Sequence, residues 1–483
     1  MTTTHDLVIR GGTVATSEKT FAADIGIRDG KIAALGKGLS GRQVIDAHGR
    51  LVMPGGVDSH CHVEQLSSTG KMCADDFYSA TVAAAFGGTT TIIPFAAQHR
   101  GDSIVAVVDD YARRAAEKAV VDYGFHLIIA DPNEHALQVE LPEMVKRGIT
   151  SFKVYMTYEL LRLDDGQMLD VLAAADRERA LVMVHAENHE MIQWLAKRLL
   201  ERGHKAPKFH MTAHHPLAEA EATHRVVALS RLLDVPVLIV HVSGGEAAQT
   251  IRAAQTLGAR VYAETCPQYL FLEASDADKP GLEGAKWCCS PPPRDQASQQ
   301  AVWEGLKDGT FQVLSSDHAP YRFDETGKLP RGEQTTFKEM ANGVPGLQVR
   351  LPLMFSEGVG KKRISLQEFV ALTATNHARM YGLSQKGRLE EGADADIALW
   401  EPEKQVRLAA SMMMDNVGYT PYEGRTVTGW PTTVLLRGRV VVENGELKAA
   451  RGSGQFIARG APGPVATGTL RDGPARVLRN LIG

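Results

Sequence analysis

The chain predicts an α/β architecture: a (β/α)8 TIM barrel with a smaller β-sandwich domain built from both chain ends. Three observations lead there. Eight short Val- and Ile-rich runs alternate with helix-like segments between residues 57 and 315. Glycine-broken strand patterns occupy both ends of the chain. Histidine, lysine and aspartate recur at the C-terminal ends of the central runs, where barrels of this kind place reacting groups.

At the N-terminal end, Leu7–Arg10, Ala23–Ile27 and Lys31–Leu35 read as strands. They are separated by Gly11-Gly12 and by Asp29-Gly30, a hairpin signal. The pattern returns at Asp396–Trp400, Val434–Gly438 and Arg439–Glu443. Residues 1–53 and 384–450 are therefore assigned to one discontinuous β-domain. Residues 54–383 form the barrel. Its strands are expected at Val57–His60, Thr90–Phe95, Tyr123–Ile129, Ser151–Tyr155, Leu181–Ala186, Val235–His241, Val261–Thr265 and Phe311–Ser315. Such runs suit strands buried on both faces. Asp76–Phe86, Ser103–Ala119 and Gly245–Leu257 are expected helices between them. Eight units over about 260 residues match the size of such a barrel. A doubly wound open sheet is the other arrangement compatible with the alternation. Residues 451–483 are rich in Gly, Pro and Arg. They read as an extended arm, either covering a neighbouring subunit or disordered.

Composition narrows the class. The chain has 483 residues, enough for about three domain-sized units. Hydrophobic residues make up 44% and charged residues 23%, which excludes wholesale disorder. Lys plus Arg is 53 against 57 for Asp plus Glu, a net charge of −4 that offers no footprint for nucleic acid. Cys61, Cys73, Cys266, Cys288 and Cys289 form no C-x-x-C pair, and their odd number argues against a disulfide framework. No run is long and apolar enough for a membrane span. The first residues lack a basic segment followed by an apolar one. A soluble, cytoplasmic, large-cored protein is expected.

The chemistry starts in P-G-G-V-D-S-H-C-H, which places His60 and His62 two residues apart at the end of the first barrel strand. In extended backbone such residues face the same side, so two imidazoles there make half a metal site. By themselves they are equally compatible with two loop histidines. The other strand ends change the balance. Lys153 lies in S-F-K-V-Y-M, His185 ends L-V-M-V-H, His241 ends V-L-I-V-H, and Asp317 follows F-Q-V-L-S-S. Each alone has an ordinary explanation as a buried histidine or a snorkelling lysine. Six on strands one, four, five, six and eight point to one site. Burial of Lys153 lowers its pKa toward the neutral amine. A neutral amine can add carbon dioxide and become a carbamate, an anionic ligand able to bridge two metals.

With these motifs in place the chain resembles the dihydropyrimidinase/hydantoinase family of cyclic amidohydrolases, within the amidohydrolase superfamily. The similarity also rests on D-D-F-Y-S-A-T-V-A-A-A-F-G-G-T-T-T-I-I, S-F-K-V-Y-M-T-Y, V-H-A-E-N, S-P-P-P-R, S-S-D-H-A-P, N-G-V-P-G and Y-E-G-R, and spans nearly the whole chain. It implies two Zn2+ per chain, bridged by carbamylated Lys153 and a hydroxide. His60, His62 and Asp317 would hold one ion, His185 and His241 the other. It implies that Tyr158 polarises the substrate carbonyl and that Ser290 and Asn342 hold the ring's amide edge. Asp317 would take the hydroxide's proton and deliver it to the leaving ring nitrogen. The implied reaction opens hydantoins or dihydropyrimidines to N-carbamoyl amino acids. A homotetramer is implied as well.

Some residues depart from the usual pattern of the family: Pro94 where aspartate is common, Ser243 where methionine is, and Pro293 where leucine is. The loop after His62, V-E-Q-L-S-S-T-G-K-M-C, is more polar than usual. With the stretch around Tyr155–Leu161 it would wall the pocket beside the substrate's exocyclic group, which bears on substrate identity rather than on metal chemistry. T-P-Y-E-G at Thr420–Gly424 also suits an allantoinase or another cyclic ureide or imide hydrolase. A non-catalytic scaffold of the same fold is the remaining alternative, and the presence of all six ligand positions weighs against it. His318 reads as a supporting residue, the four histidines of His204–His215 as a polar loop or subunit contact, and Gly392–Asp396 as a β-turn rather than a calcium loop. Cys288 and Cys289 have no identifiable base that would make either a nucleophile.

Overall fold

In the computed structural model, which describes residues 4–67 and 70–466, eight parallel strands form the barrel wall in chain order. They are Gly56–Cys61, Thr89–Ala97, a third strand split into Asp122–Tyr123 and His126–Ile128, Ser151–Tyr155, Leu181–His185, Val237–Ile239, Val261–Thr265 and Val313–Leu314. A parallel bridge between Cys61 and His318 brings the eighth back to the first, so the barrel is nearly closed. Almost every strand residue is buried, as Val- and Ile-rich runs between helices and barrel interior require.

Three expected strands are shorter or broken. The third is interrupted at Gly124, whose amide donates to the Ile92 carbonyl and where a side chain would meet that of Arg459. The sixth ends at Ile239 and the eighth at Leu314, so His241 and Asp317 stand beyond their ladders. Both have positive φ, +42° and +47°. The backbone there turns off the wall, a conformation that costs energy for a non-glycine residue and is common at functional sites.

The helices are set by their caps. Asp76 caps Phe77–Phe86 in a capping box with Ser79, and Ser103 caps Ile104–Lys118. Between the fifth and sixth strands the chain inserts His189–Glu201, Phe209–Ala213 and Pro216–Leu233. This insertion carries the four histidines of the 204–215 segment.

Both chain ends share one further sheet. Strand Leu51–Pro54 lies between His5–Ala15 from the N-terminal end and Ile397–Arg407 from the C-terminal end. The first strand is bulged between Ile9 and Gly12. Its first half pairs with Gly41–Asp46 and its second half with Leu51–Val52, so the sheet turns over on itself at the bulge. Ile9, Ile25, Ile27, Ile397, Leu399 and Leu435 fill the space between the layers.

Lys386 joins this sheet to the barrel. Its ammonium is buried between Asp122 of the third barrel strand, Asp394 and Asp396, at 2.6, 3.0 and 2.7 Å. Arg437 also pairs with Asp122. The Gly392–Asp396 segment is thus a turn whose carboxylates hold a lysine, in place of a calcium loop.

The arm from residue 451 differs from expectation. Up to residue 466 it packs on its own barrel. The Gly454 amide donates to the Ala119 carbonyl, the Ile457 amide to Tyr123 and the Arg459 amide to Gly148. The Arg459 guanidinium is buried and donates to Ser151 Oγ and the Phe125 carbonyl. Residues 467–483 of that arm lie outside the described residues. Among the described residues no helix is long and apolar enough to cross a membrane.

Candidate active site

Strand ends bring the predicted residues to the C-terminal mouth of the barrel. His60 is the penultimate residue of the first strand and His62 directly follows it. Lys153 lies in the fourth strand, His185 closes the fifth, His241 follows the sixth and Asp317 follows the eighth. His60 Nε2 and His62 Nε2 lie 3.2 and 3.3 Å from Asp317 Oδ1. These three residues form a group with the donor spacing of a metal site. The His241 ring lies 5.3 Å from that of His60 and 4.5 Å from that of His185, centroid to centroid. Lys153 Nζ lies over the Phe95 and Tyr155 rings, at 5.3 and 5.2 Å.

Each of three histidines is held by a neighbour through one ring nitrogen. His60 Nδ1 donates to Glu264 Oε1 at 2.6 Å. His62 Nδ1 donates to Gln65 Oε1 at 2.7 Å. His185 Nε2 donates to Glu187 Oε2 at 2.7 Å, and Glu187 also accepts from His214 Nδ1 at 2.8 Å. Such partners select a tautomer and aim the second nitrogen at a ligand. His60 Nε2, His241 Nδ1 and Lys153 Nζ are buried, without a hydrogen-bond partner among the described residues. Buried donors and acceptors are ordinarily satisfied, so these atoms fit a site that binds cations.

The electrostatics agree. Burial lowers Lys153 to about 7, against the pull of Glu264 and Asp317 in the other direction. Burial lifts Glu264 to about 8. Burial, with Lys153 nearby, holds His60 and His241 well below the usual imidazole value, so both rings are neutral and have a lone pair to offer.

The pocket above these groups is lined by Gln65, Tyr155, Tyr158, Ser290, Tyr321 and Asn342 among others. Tyr158 is in the left-handed region, φ +71°, which turns its ring to within 5.3 Å of His185, centroid to centroid. Burial, with the charge of Glu187 nearby, holds its phenol well above the usual value and so protonated. Asn342 Oδ1 is buried without a partner. All nine residues singled out from the sequence thus lie at or beside one mouth.

A family model described as the amidohydrolase family matches residues 51–441. A D-hydantoinase of Geobacillus stearothermophilus is 42% identical over 94% of this chain and 96% of its own. The chain belongs to the amidohydrolase family. Within it, the dihydropyrimidinase/hydantoinase branch is where its similarity lies. A solved dihydropyrimidinase from Brevibacillus agri superposes with a TM-score of 0.91 at 40% identity, covering 94% of this chain and 98% of that one. A solved L-hydantoinase (dihydropyrimidinase) from Arthrobacter aurescens gives 0.86 at 28% identity, over 94% and 100%.

In this amidohydrolase several supporting groups escaped the sequence reading. Glu264 is the penultimate residue of the seventh barrel strand, so the strand-end rule that selected the other residues also reaches it. Glu187 sits inside the V-H-A-E-N motif, two residues beyond His185. Gln65 belongs to the polar loop. His214 and His210 are buried and engaged, with Glu187 and the Cys289 carbonyl. Ser243 bonds Glu219 and the buried Arg294 of S-P-P-P-R. His318 is buried, bonded to Asp75 at 2.9 Å and accepting from the Gly346 amide. All five cysteines are buried, and burial pushes the Cys73 and Cys288 thiols up to about 12, so they are poor nucleophiles.

Proposed function

We propose that this chain is a zinc-dependent hydrolase that opens the cyclic amide C–N bond of hydantoins or dihydropyrimidines to N-carbamoyl amino acids. As a member of its family it is a cyclic amidohydrolase. The observation that carries the reading is the convergence of neutral, partly unpartnered imidazoles, Lys153 and Asp317 at one barrel mouth.

His60, His62 and Asp317 would hold one zinc ion and His185 and His241 the other, with Lys153 between them as its carbamate. Its amine, held near neutrality by burial, is suited to add carbon dioxide. When bound, two such ions supply Lewis-acid polarisation and an acidified water.

The chain's own residues do the rest. Tyr158 donates its phenolic proton in a hydrogen bond to the ring carbonyl and stabilises the charge that grows there. Ser290 and Asn342 hold the amide edge. Asp317 takes a proton from the attacking water at a carboxylate oxygen and returns it to the leaving ring nitrogen. Leaving of that nitrogen opens the ring.

A substrate panel tests this directly. Dihydrouracil, 5-substituted hydantoins, allantoin and simple cyclic imides are offered to protein whose metal content has been measured. Ring opening of a hydantoin or dihydropyrimidine with about two zinc ions per chain is the expected result. Fewer than about one zinc per chain with no turnover on the panel would establish the scaffold reading instead.

A further inference from the structure

Lys328 is fully buried, lies outside every proposed catalytic role, and links two pocket loops. Its Nζ donates to the Cys288 carbonyl at 2.7 Å and to the Gly343 carbonyl at 2.6 Å. The Gly343 amide donates to the same Cys288 carbonyl at 3.0 Å. Cys288 lies two residues before Ser290, and Gly343 directly follows Asn342. Ser290, Asn342 and Gly343 all line the pocket.

The segment that carries Lys328 is itself stitched tight. The Lys328 amide donates to the Arg322 carbonyl, and those of Gly327 and Leu329 to Asp324. A side chain at Gly327 would run into the Arg322 carbonyl, and one at Gly343 into Ala319, so the segments meet at closest approach. Ala319 and Tyr321, which begin the Lys328 segment, line the pocket as well. A single ammonium therefore ties three pocket loops together.

Among the described residues no carboxylate pairs with Lys328; its partners are the two carbonyl dipoles. Burial without a counter-ion is costly, and an apolar side chain would fill the volume at less expense. What the ammonium adds is direction. It holds the Cys288 and Gly343 carbonyls in place. Ser290, two residues after the one, and Asn342, directly before the other, line the pocket. Asn342 Oδ1 is free for a ligand N–H.

We infer that Lys328 is the positioning residue for substrate binding: it fixes the spacing of the Ser290 and Asn342 loops that grip the N–H and C=O edge of the cyclic amide. This rests on the hydrolase reading above. Lys328 touches neither substrate nor metal site, so its loss acts on binding and spares the chemical step.

The test uses metal-loaded enzyme and the best ring substrate of the panel. Lys328→Met should raise KM about tenfold or more while kcat stays within about threefold. Metal content should be unchanged, and Lys328→Gln, which keeps one donor, should fall between. Unchanged KM in folded, metal-loaded Lys328→Met overturns the inference. So does a parallel loss of kcat and metal in both variants, which marks a purely structural role. If Lys328→Met does not fold, Lys328→Gln decides by the same criteria, and failure of both to fold also counts against it. Wild-type protein that opens no ring is a different outcome: it overturns the hydrolase reading first and this inference with it.

Discussion

Glu264 accepts from His60 Nδ1 at 2.6 Å, and both side chains are fully buried. The same carboxylate accepts from Ser315 Oγ at 2.7 Å and from the His241 amide at 3.2 Å. One group thus braces the first, sixth and eighth strand ends from the seventh. Glu264→Ala should leave the fold intact and weaken metal binding about tenfold to a hundredfold. Chelator competition measures this; unaltered affinity would mean that the contact is only packing.

Lys153→Ala removes the proposed bridge. Loss of both bound metal and ring opening is expected, read by elemental analysis and turnover. Wild-type ring opening by this variant would end the assignment.

Asp317→Asn keeps the shape of the side chain and removes the proton carrier. Turnover should fall about a hundredfold to ten-thousandfold while circular dichroism stays unchanged. Near-normal turnover would remove Asp317 from proton transfer.

Lys386→Met leaves the buried Asp122 and Asp396, and the half-buried Asp394, without their shared cation. Breaking a buried pair from one side costs about 3–5 kcal/mol. The thermal midpoint should drop, with Lys386→Arg recovering part of it. An unchanged midpoint would show that Arg437 and Lys31 suffice to neutralise the cluster.

Lys328 is lowered to about 8 from an ordinary 10.5 by burial. Between those values the unfolded chain binds more protons than the folded one, so this group makes stability rise with pH. Below about 8 both states are protonated and its contribution is flat. Wild type should therefore gain thermal midpoint relative to Lys328→Met between about pH 8 and 10. A constant difference across that range would show that Lys328 keeps its ordinary pKa.

Much of the site was legible because barrel strands are read in order. His185 and His241 each close an apolar run, Lys153 interrupts one, and His60 and His62 lie in P-G-G-V-D-S-H-C-H at the end of the first expected strand, so their positions in the chain imply a common rim. The supporting groups were less visible. Gln65 reaches His62 from a loop, and Lys328 reaches two other loops from a third. Loop-to-loop contacts leave no periodic trace. The arm had only its composition to read, and its course along Ala119, Tyr123 and Gly148 is decided by backbone bonds to those residues.

By itself the sequence determined the alternating barrel, the β-rich pairing of the two ends and the residue types at the strand ends. Those follow from hydrophobic period and local chemistry, which are properties of neighbouring residues. Only the tertiary structure decided which ring nitrogen of each histidine faces inward, which lysine is left without a partner and which lysine ties the pocket loops. Those depend on partners up to 204 residues apart, as for His60 and Glu264. Burial, which sets the charge of Lys153, exists only once the barrel has closed around it.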